Sequence, residues 1–417
     1  MIVTTMGLCM CALVVSPPRG RMNIVRPIQR CGTPLATTTV RPVLEELSAQ
    51  LAAVRALRPS DQSPEVQMSL WRAAGLNPVY KVSGIISGEP SYTRLFDHKT
   101  WKQYTGRPPF RRWFAAIRTW RHSTILTALW PIMLAASAWA FLVASLPTRW
   151  LPRTAAGPHG LIGSAIGLLL VFRTNNTYQR LSEARLLWGR AVFLCREIAQ
   201  NAATALLFDP DVPCPTEAKR AAADTCRYLG AWCWELNAKL TGPSSIRNTD
   251  VYSDNVLSIL LPKAEAEWMS QQRSRPLVLL GALRRNLYRQ FRSGNLPAHL
   301  HRKLEQNLED LNLVVGGCER LFSSPVPPTM SRHVVRSLVL WIATLPFVLA
   351  GAMSPISIAL WVSLIVYIFV GIEEVGVQVE QPFEIVPMTA LCNIIMANLQ
   401  EAISAPPAEM AAIEGLF

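Results

Sequence analysis

Ser164, Leu168 and Phe172 recur at intervals of four, and the cation Arg173 follows at once. The stretch that holds them runs from His159 to Gly189. It is apolar and rich in small residues as far as Phe172, then polar and charged to Trp188, with no proline inside it. Read as one helix rising about 1.5 Å per residue, it leaves a bilayer near Phe172 and continues into water. Residues four apart share a helix face. A face made of a small hydroxyl, a branched apolar chain and an aromatic ring suits the wall of a narrow, mostly apolar constriction. Arg173 beside it would be an anion-attracting mouth. The same spacing also arises from ordinary helix packing, and periodicity alone does not separate the two readings.

Such a wall needs a membrane around it, and the composition agrees. Of 417 residues, 50% are hydrophobic, only 17% are charged, and 13 are Trp, a residue that favours membrane interfaces. The formal net charge of +13 fits nucleic acid, acidic lipid or an anionic solute equally well. Zinc-finger spacing, an RNP pattern and a basic region feeding heptads are all missing, so no nucleic-acid partner is expected. The nine Cys are scattered without a CxxC, which gives no disulfide framework and no zinc site. The sequence has no nucleophile elbow, HExxH, P-loop, GxGxxG or DxDxDG. An enzyme is therefore not expected, nor is any metal or other cofactor. An ion-coupled transporter would show inverted repeats, which are not visible here. That reading and a non-conducting membrane scaffold stay open as alternatives.

The chain divides by pattern. Residues 1–44 contain no Asp or Glu but carry Arg19, Arg21, Arg26, Arg30 and Arg41, the look of an organellar transit peptide. An apolar patch at Leu8 to Val15 keeps a secretory signal open as the other reading. Residues 45–94 form a short helix, Leu44 to about Leu57, and a Pro- and Gly-broken linker. The region 95–400 opens on a cluster of cations and aromatics, Trp101 to Arg121. Four apolar spans follow, at about 123–146, 159–172, 334–350 and 355–371, arranged as two helical hairpins. Between the hairpins, residues 183–322 read as soluble helices, one ending near Gly189 and others at Arg190 to Leu207, Glu217 to Leu240, Lys263 to Trp268, Leu277 to Arg292 and Leu296 to Phe322. Residues 401–417 read as a loose tail. With no strand-like alternation, the expected class is an all-α membrane protein. Glu183, Arg185, Glu319, Arg320, Glu373 and Glu374 lie near helix–membrane borders and are expected to form structural pairs. A proton-sensing role for Glu373 or Glu374 is the alternative.

Three blocks in order resemble the bestrophin-type chloride channels. The first is Phe172-Arg173-Thr174-Asn175 with Tyr178-Gln179-Arg180, Glu183-Ala184-Arg185 and Trp188-Gly189. The second is Gly316-Gly317-Cys318-Glu319-Arg320 with Ser324-Pro325-Val326-Pro327 and Leu345-Pro346-Phe347. The third is Glu373-Glu374 with Glu380, Pro382 and Phe383. The closest similarity is to bacterial homologues and plant thylakoid voltage-dependent chloride channels. The resemblance implies a homopentamer around one axial pore that conducts chloride. Its neck positions fall on Ser164, Leu168 and Phe172, with a serine where the family's outer neck is usually more apolar. A lower aperture aligns loosely with His299, although a surface histidine fits that position as well. The implied place is the thylakoid membrane, with another organellar or the plasma membrane as the alternative. The implied role is voltage-dependent control of ion balance and proton motive force, with the chain itself and membrane lipid as partners. The family's calcium-binding acidic run is missing. After Phe383 only Glu384 precedes Pro387, and one carboxylate cannot supply the six to eight oxygens calcium takes.

Overall fold

The computed structural model describes residues 41–57, 95, 98–118, 120, 123–152, 155–241 and 249–404. Most of the expected transit peptide, the 58–92 linker and the tail beyond 404 lie outside the described residues. Those described are almost wholly helical, with one isolated β-bridge, Ala350 to Met353.

The first helix, α1 (Arg41–Ala56), takes in the last four residues of the expected transit peptide. It buries Leu47, Leu51 and Val54, a three- and four-residue spacing, on the soluble core. Two short helices, α2 (His98–Thr105) and α3 (Pro109–Arg118), cover the basic, aromatic cluster. Next comes α4 (Thr124–Ser145), capped by the Ser123 hydroxyl, which accepts from the Leu126 N–H. A long helix follows, α5 (Ala156–Ala203), and its last turn widens into a π-turn at Thr204–Phe208. The soluble helices are α6 (Pro215–Thr241), α7 (Thr249–Leu260), α8 (Lys263–Ser270), α9 (Arg275–Arg292) and α10 (Ala298–Ser323). The chain then returns to apolar sequence in α11 (Pro328–Leu349) and α12 (Pro355–Glu380). It ends through one turn, α13 (Pro382–Ile385), and α14 (Met388–Ala402).

Among the described residues, four stretches are long and apolar enough to cross a membrane, and they lie in α4, α5, α11 and α12. The helix expected to end near Gly189 does not end there. Gly189 is exposed and has open space where a Cβ would sit, and α5 runs unbroken for 48 residues. A glycine stops a helix only where the backbone turns left-handed or a cap takes over. Here Trp188, Ala191, Leu194 and Cys195 on either side are buried in the soluble core, and that packing carries the helix through. Similarly, α12 continues past Gly371 to Glu380.

The apolar helices pack in two clusters. Ala140 of α4, Leu345 of α11 and Ile358, Val362 and Val366 of α12 form one. Ile166 and Leu170 of α5 with Val334, Leu338 and Trp341 of α11 form the other. The soluble core is larger, built from α1, the lower half of α5, α6 to α10 and α14. One carboxylate, Glu235, is buried in it, with its cation Arg275 reaching in from the surface. Glu235 of α6 accepts from the Ser253 hydroxyl of α7, and Arg275 of α9 reaches it at 3.5 Å. Burial pushes the Glu235 carboxyl above the usual carboxylate range, against the opposing pull of Ser253 and Arg275.

The outer end of α5 is clasped to α11. The Trp341 indole N–H donates to the His159 carbonyl at 3.1 Å, and His159 Nε2 lies 3.2 Å from the Trp341 carbonyl, to which it can only donate. The two rings stack at 5.2 Å. Gly163 makes room for this, since a Cβ there would lie 2.9 Å from Trp341 Cζ2. Phe369 backs the indole at 5.0 Å, so the ring cannot retreat. Gly163→Ala should therefore cost about 1–3 kcal/mol relative to Gly160→Ala, which enters open space on the same helix. Thermal unfolding of the detergent-solubilised protein measures the difference. Equal midpoints for the two variants would contradict the clasp.

Candidate functional site

One residue step turns a helix by about 100°. Along α5 the buried positions run Gly163, Ile166, Leu170, Arg173, Thr177, Ala184, Trp188, Ala191, Cys195 and Ile198. That is a stripe spaced by threes and fours, the pattern of a helix seated on its neighbours. Ser164, Leu168 and Phe172 fall outside it. All three are exposed in the isolated chain, Leu168 at 57% and Phe172 at 52%. Neither large side chain belongs to the two clusters in which the apolar helices pack.

Arg173 is placed differently from the expected anion-attracting mouth. It sits one step round from Phe172, on the buried stripe, and its Nη1 lies 2.7 Å from Glu373 Oε1 of α12, with both side chains buried. Gly376, one turn further along α12, lets the arginine stem lie close: a Cβ there would stand 3.4 Å from Arg173 Nε. The cation is thus matched to a carboxylate rather than presented to solvent. The reason is geometric: adjacent residues cannot share the stripe that residues four apart define.

The other border residues find partners as follows. Arg320 pairs with Glu183, and Glu319 with Lys239 rather than with a neighbour on its own helix. Glu374 accepts from the Gln378 amide at 2.9 Å. Arg185 is exposed and makes no ion pair among the described residues. His299 is exposed in the first turn of α10. The half-buried ring nearby is His301, stacked on Phe291 at 4.6 Å.

Arg180 does more than its place in a motif suggested. Two turns below Phe172, its guanidinium donates to the carbonyls of Leu321 and Ser324, both at 2.7 Å, and its Nε to that of Glu380 at 3.4 Å. Those carbonyls close α10 and α12, where chain ends leave acceptors unsatisfied. The Glu380 carboxylate returns the contact by accepting from the Val326 N–H at 3.1 Å. One side chain of α5 therefore ties together the strand that enters the second pair of apolar helices and the strand that leaves it. The available signal was its spacing of seven from Arg173, which puts both on one stripe.

Among Ser164, Leu168 and Phe172, the one polar group is muted by the helix itself: the Ser164 hydroxyl donates to the Leu161 carbonyl at 2.8 Å. Below Phe172 the exposed face continues through Asn175, Asn176 and Gln179, uncharged amides that can donate.

Residues 104–401 match the family model described as bacterial/fungal bestrophin protein, well over half of the chain. The chain belongs to the bestrophin family. A voltage-dependent anion channel-forming protein of Ralstonia nicotianae is 30% identical over 298 residues, which are 71% of this chain and 92% of the relative. Voltage-dependent chloride channel 1, chloroplastic, of Arabidopsis thaliana is 26% identical over 326 residues, 74% of this bestrophin and 73% of the relative. Among solved structures, a bacterial bestrophin homologue from Klebsiella pneumoniae superposes with a TM-score of 0.58 at 24% identity, covering 68% of this chain and 99% of that one. That likeness is one of fold.

Because Arg173 and Glu373 are both buried, removing one leaves the other uncompensated. Glu373→Met or Arg173→Met alone should cost about 3–5 kcal/mol, while the double change to Met at both positions should cost less than either. Unfolding midpoints of the three variants in detergent test this. A double variant as damaged as the sum of the singles would show that the two do not act as a pair.

Proposed function

We propose that this bestrophin is an anion channel that conducts chloride and similar weakly hydrated anions passively along the axis of a homopentamer. In this reading Ser164, Leu168 and Phe172, repeated five times, wall a narrow neck. The observation that carries it is their exposure on α5, opposite a continuous buried stripe, in a family whose named relatives include anion and chloride channels. An apolar ring of that kind passes ions only when wetted and can close by dewetting. No full charge lines it, so an anion is not trapped. Asn175, Asn176 and Gln179 continue the face below and offer N–H donors in place of a cation. The net positive charge, +13 over the whole sequence and +8 without the five Arg of residues 1–44, raises the local anion concentration on the approach, multiplied by the number of copies. Ser164 would make the outer end wetter than a branched side chain would.

The names of the relatives support voltage dependence, and the single carboxylate after Phe383 supports calcium independence. The acid-free N-terminus, together with chloroplastic relatives, supports a thylakoid membrane. There, anion flow would offset the charge left by proton pumping and so adjust the proton motive force. His299 stays as the proposed lower aperture, on its exposure alone.

The test is planar-bilayer recording of the purified full-length protein under a chloride salt gradient. The reversal potential should lie near the chloride equilibrium value. Phe172→Ala and Leu168→Ala should enlarge the conductance or abolish closure, and a calcium chelator should leave the current unaltered. A reversal potential that follows the cation, or no current at all, would overturn the proposal. Unchanged currents in both alanine variants would remove the neck from these residues.

A further inference from the structure

Just before the first apolar span, α3 carries Phe110, Trp113, Phe114 and Ile117, spaced by three and four on one face. All four are exposed, Phe110 at 79% and Trp113 at 74%, and Phe110 and Phe114 stack on each other. The face is therefore apolar, aromatic and left uncovered by the other described residues. The charge around it is of one sign. Lys99, Lys102, Arg107, Arg111, Arg112, Arg118 and Arg121 lie in or beside α2 and α3, and no Asp or Glu occurs between Asp97 and Glu183. Position narrows what can cover it. Only five residues separate Arg118 from Thr124, the start of α4, and among them Trp120 packs on Tyr367 of the membrane helix α12 at 5.7 Å. The helix is thus held at the level where the apolar spans begin.

We propose that α3 lies in the plane of the bilayer surface, its aromatic face sunk into the headgroup boundary, and that the cations beside it take the anionic headgroups of acidic lipids. A ten-residue helix with an apolar aromatic face, flanked by cations and joined to a spanning helix, has the features of an interfacial segment. Each Lys or Arg close to an acidic membrane surface contributes attraction that a neutral bilayer does not. A second copy of the chain is a poorer occupant, because that surface would have to supply several carboxylates around an aromatic slot. The inference goes beyond the channel reading and does not depend on it.

The experiment places the photo-reactive residue benzoylphenylalanine at position 113 of the full-length chain. The protein is reconstituted in vesicles of phosphatidylcholine alone or with phosphatidylglycerol, and the adducts are weighed by mass spectrometry. The expected product is a lipid adduct in which phosphatidylglycerol exceeds its share of the bilayer. Arg111→Gln and Arg118→Gln should each lower that excess by roughly fivefold. Where either variant fails to fold, molar salt on the unsubstituted arginines should erase the excess by screening. A protein–protein adduct, or a lipid adduct in simple proportion to bilayer composition at low salt, would overturn the proposal. The readout involves no conduction, so it stands apart from failure of the channel reading.

Discussion

The rotation of α5 about its own axis decides everything this chain can present to an ion. A helix has only one face to bury, and here that face is fixed at three heights. Trp341 closes on Gly163 at the outer end, Arg173 meets Glu373 at mid-height, and Arg180 ties off α10 and α12 below. Turning the helix by one residue, about 100°, would break all three together. The mid-height contact is the most demanding. Two charges removed from water are tolerated only when matched, and an unmatched one costs several kcal/mol. The pair therefore penalises wrong rotations far more than apolar contacts could, since leucines slide past one another at little cost.

Much of this architecture could be read from the amino acids, and the reason is the length of the apolar runs. The two runs that became α4 and the core of α12 have few rivals as spanning helices, and prolines mark the entries to α11 and α12. What could not be read is as instructive. The break expected at Gly189 rested on local propensity, whereas the surrounding packing kept α5 whole. The helix α14 escaped notice because Met388 to Ala402 has no cap and no strong polar face, and its role appears only through burial against Cys233 and α1. Arg173 was assigned by its neighbour rather than by its own stripe. Heptad-like spacing from Gly163 through Ile166, Leu170 and Thr177 was present in the sequence and points to the buried side. The partner two hundred residues away, Glu373, was not visible as a partner from spacing of any kind.

Continuity of α5 has a mechanical consequence. At about 1.5 Å per residue its 48 residues reach roughly 72 Å, so one rigid rod joins the membrane layer to the middle of the soluble core. Trp188, buried there, and Gly163, against Trp341, belong to the same element. Rotation or bending imposed at one end is felt at the other unless the hydrogen-bond ladder opens, and the one proline of α5, Pro158, lies in its first turn, where no ladder bond is lost. The junction at Arg180 fastens two further chain segments that join soluble and apolar helices, Ser324 to Val326 and Glu380, to the same rod. The soluble helices and the second pair of apolar helices are coupled at this collar.

Using Arg173 for structure changes what can make the proposed pore prefer anions. A bare arginine ring at a constriction would bind anions tightly and slow their release, because fixed charge in a poorly solvated channel acts at nearly full strength. With the charge cancelled by Glu373, discrimination has to come from weaker and more distributed sources. Amide donors at Asn175, Asn176 and Gln179 can replace part of an anion's hydration while offering a cation only carbonyl oxygens that are free to turn away. Exposed cations of the soluble helices, such as Arg285, Arg289 and Arg292, act across solution. They enrich anions on approach but are screened within about 8–10 Å at cellular salt. That division favours throughput over affinity: attraction is spent where ions are still hydrated, and the narrowest point is left nearly neutral. In that proposal the arginine beside Phe172 need not touch the ion, because its pairing with Glu373 fixes the rotation of α5 instead.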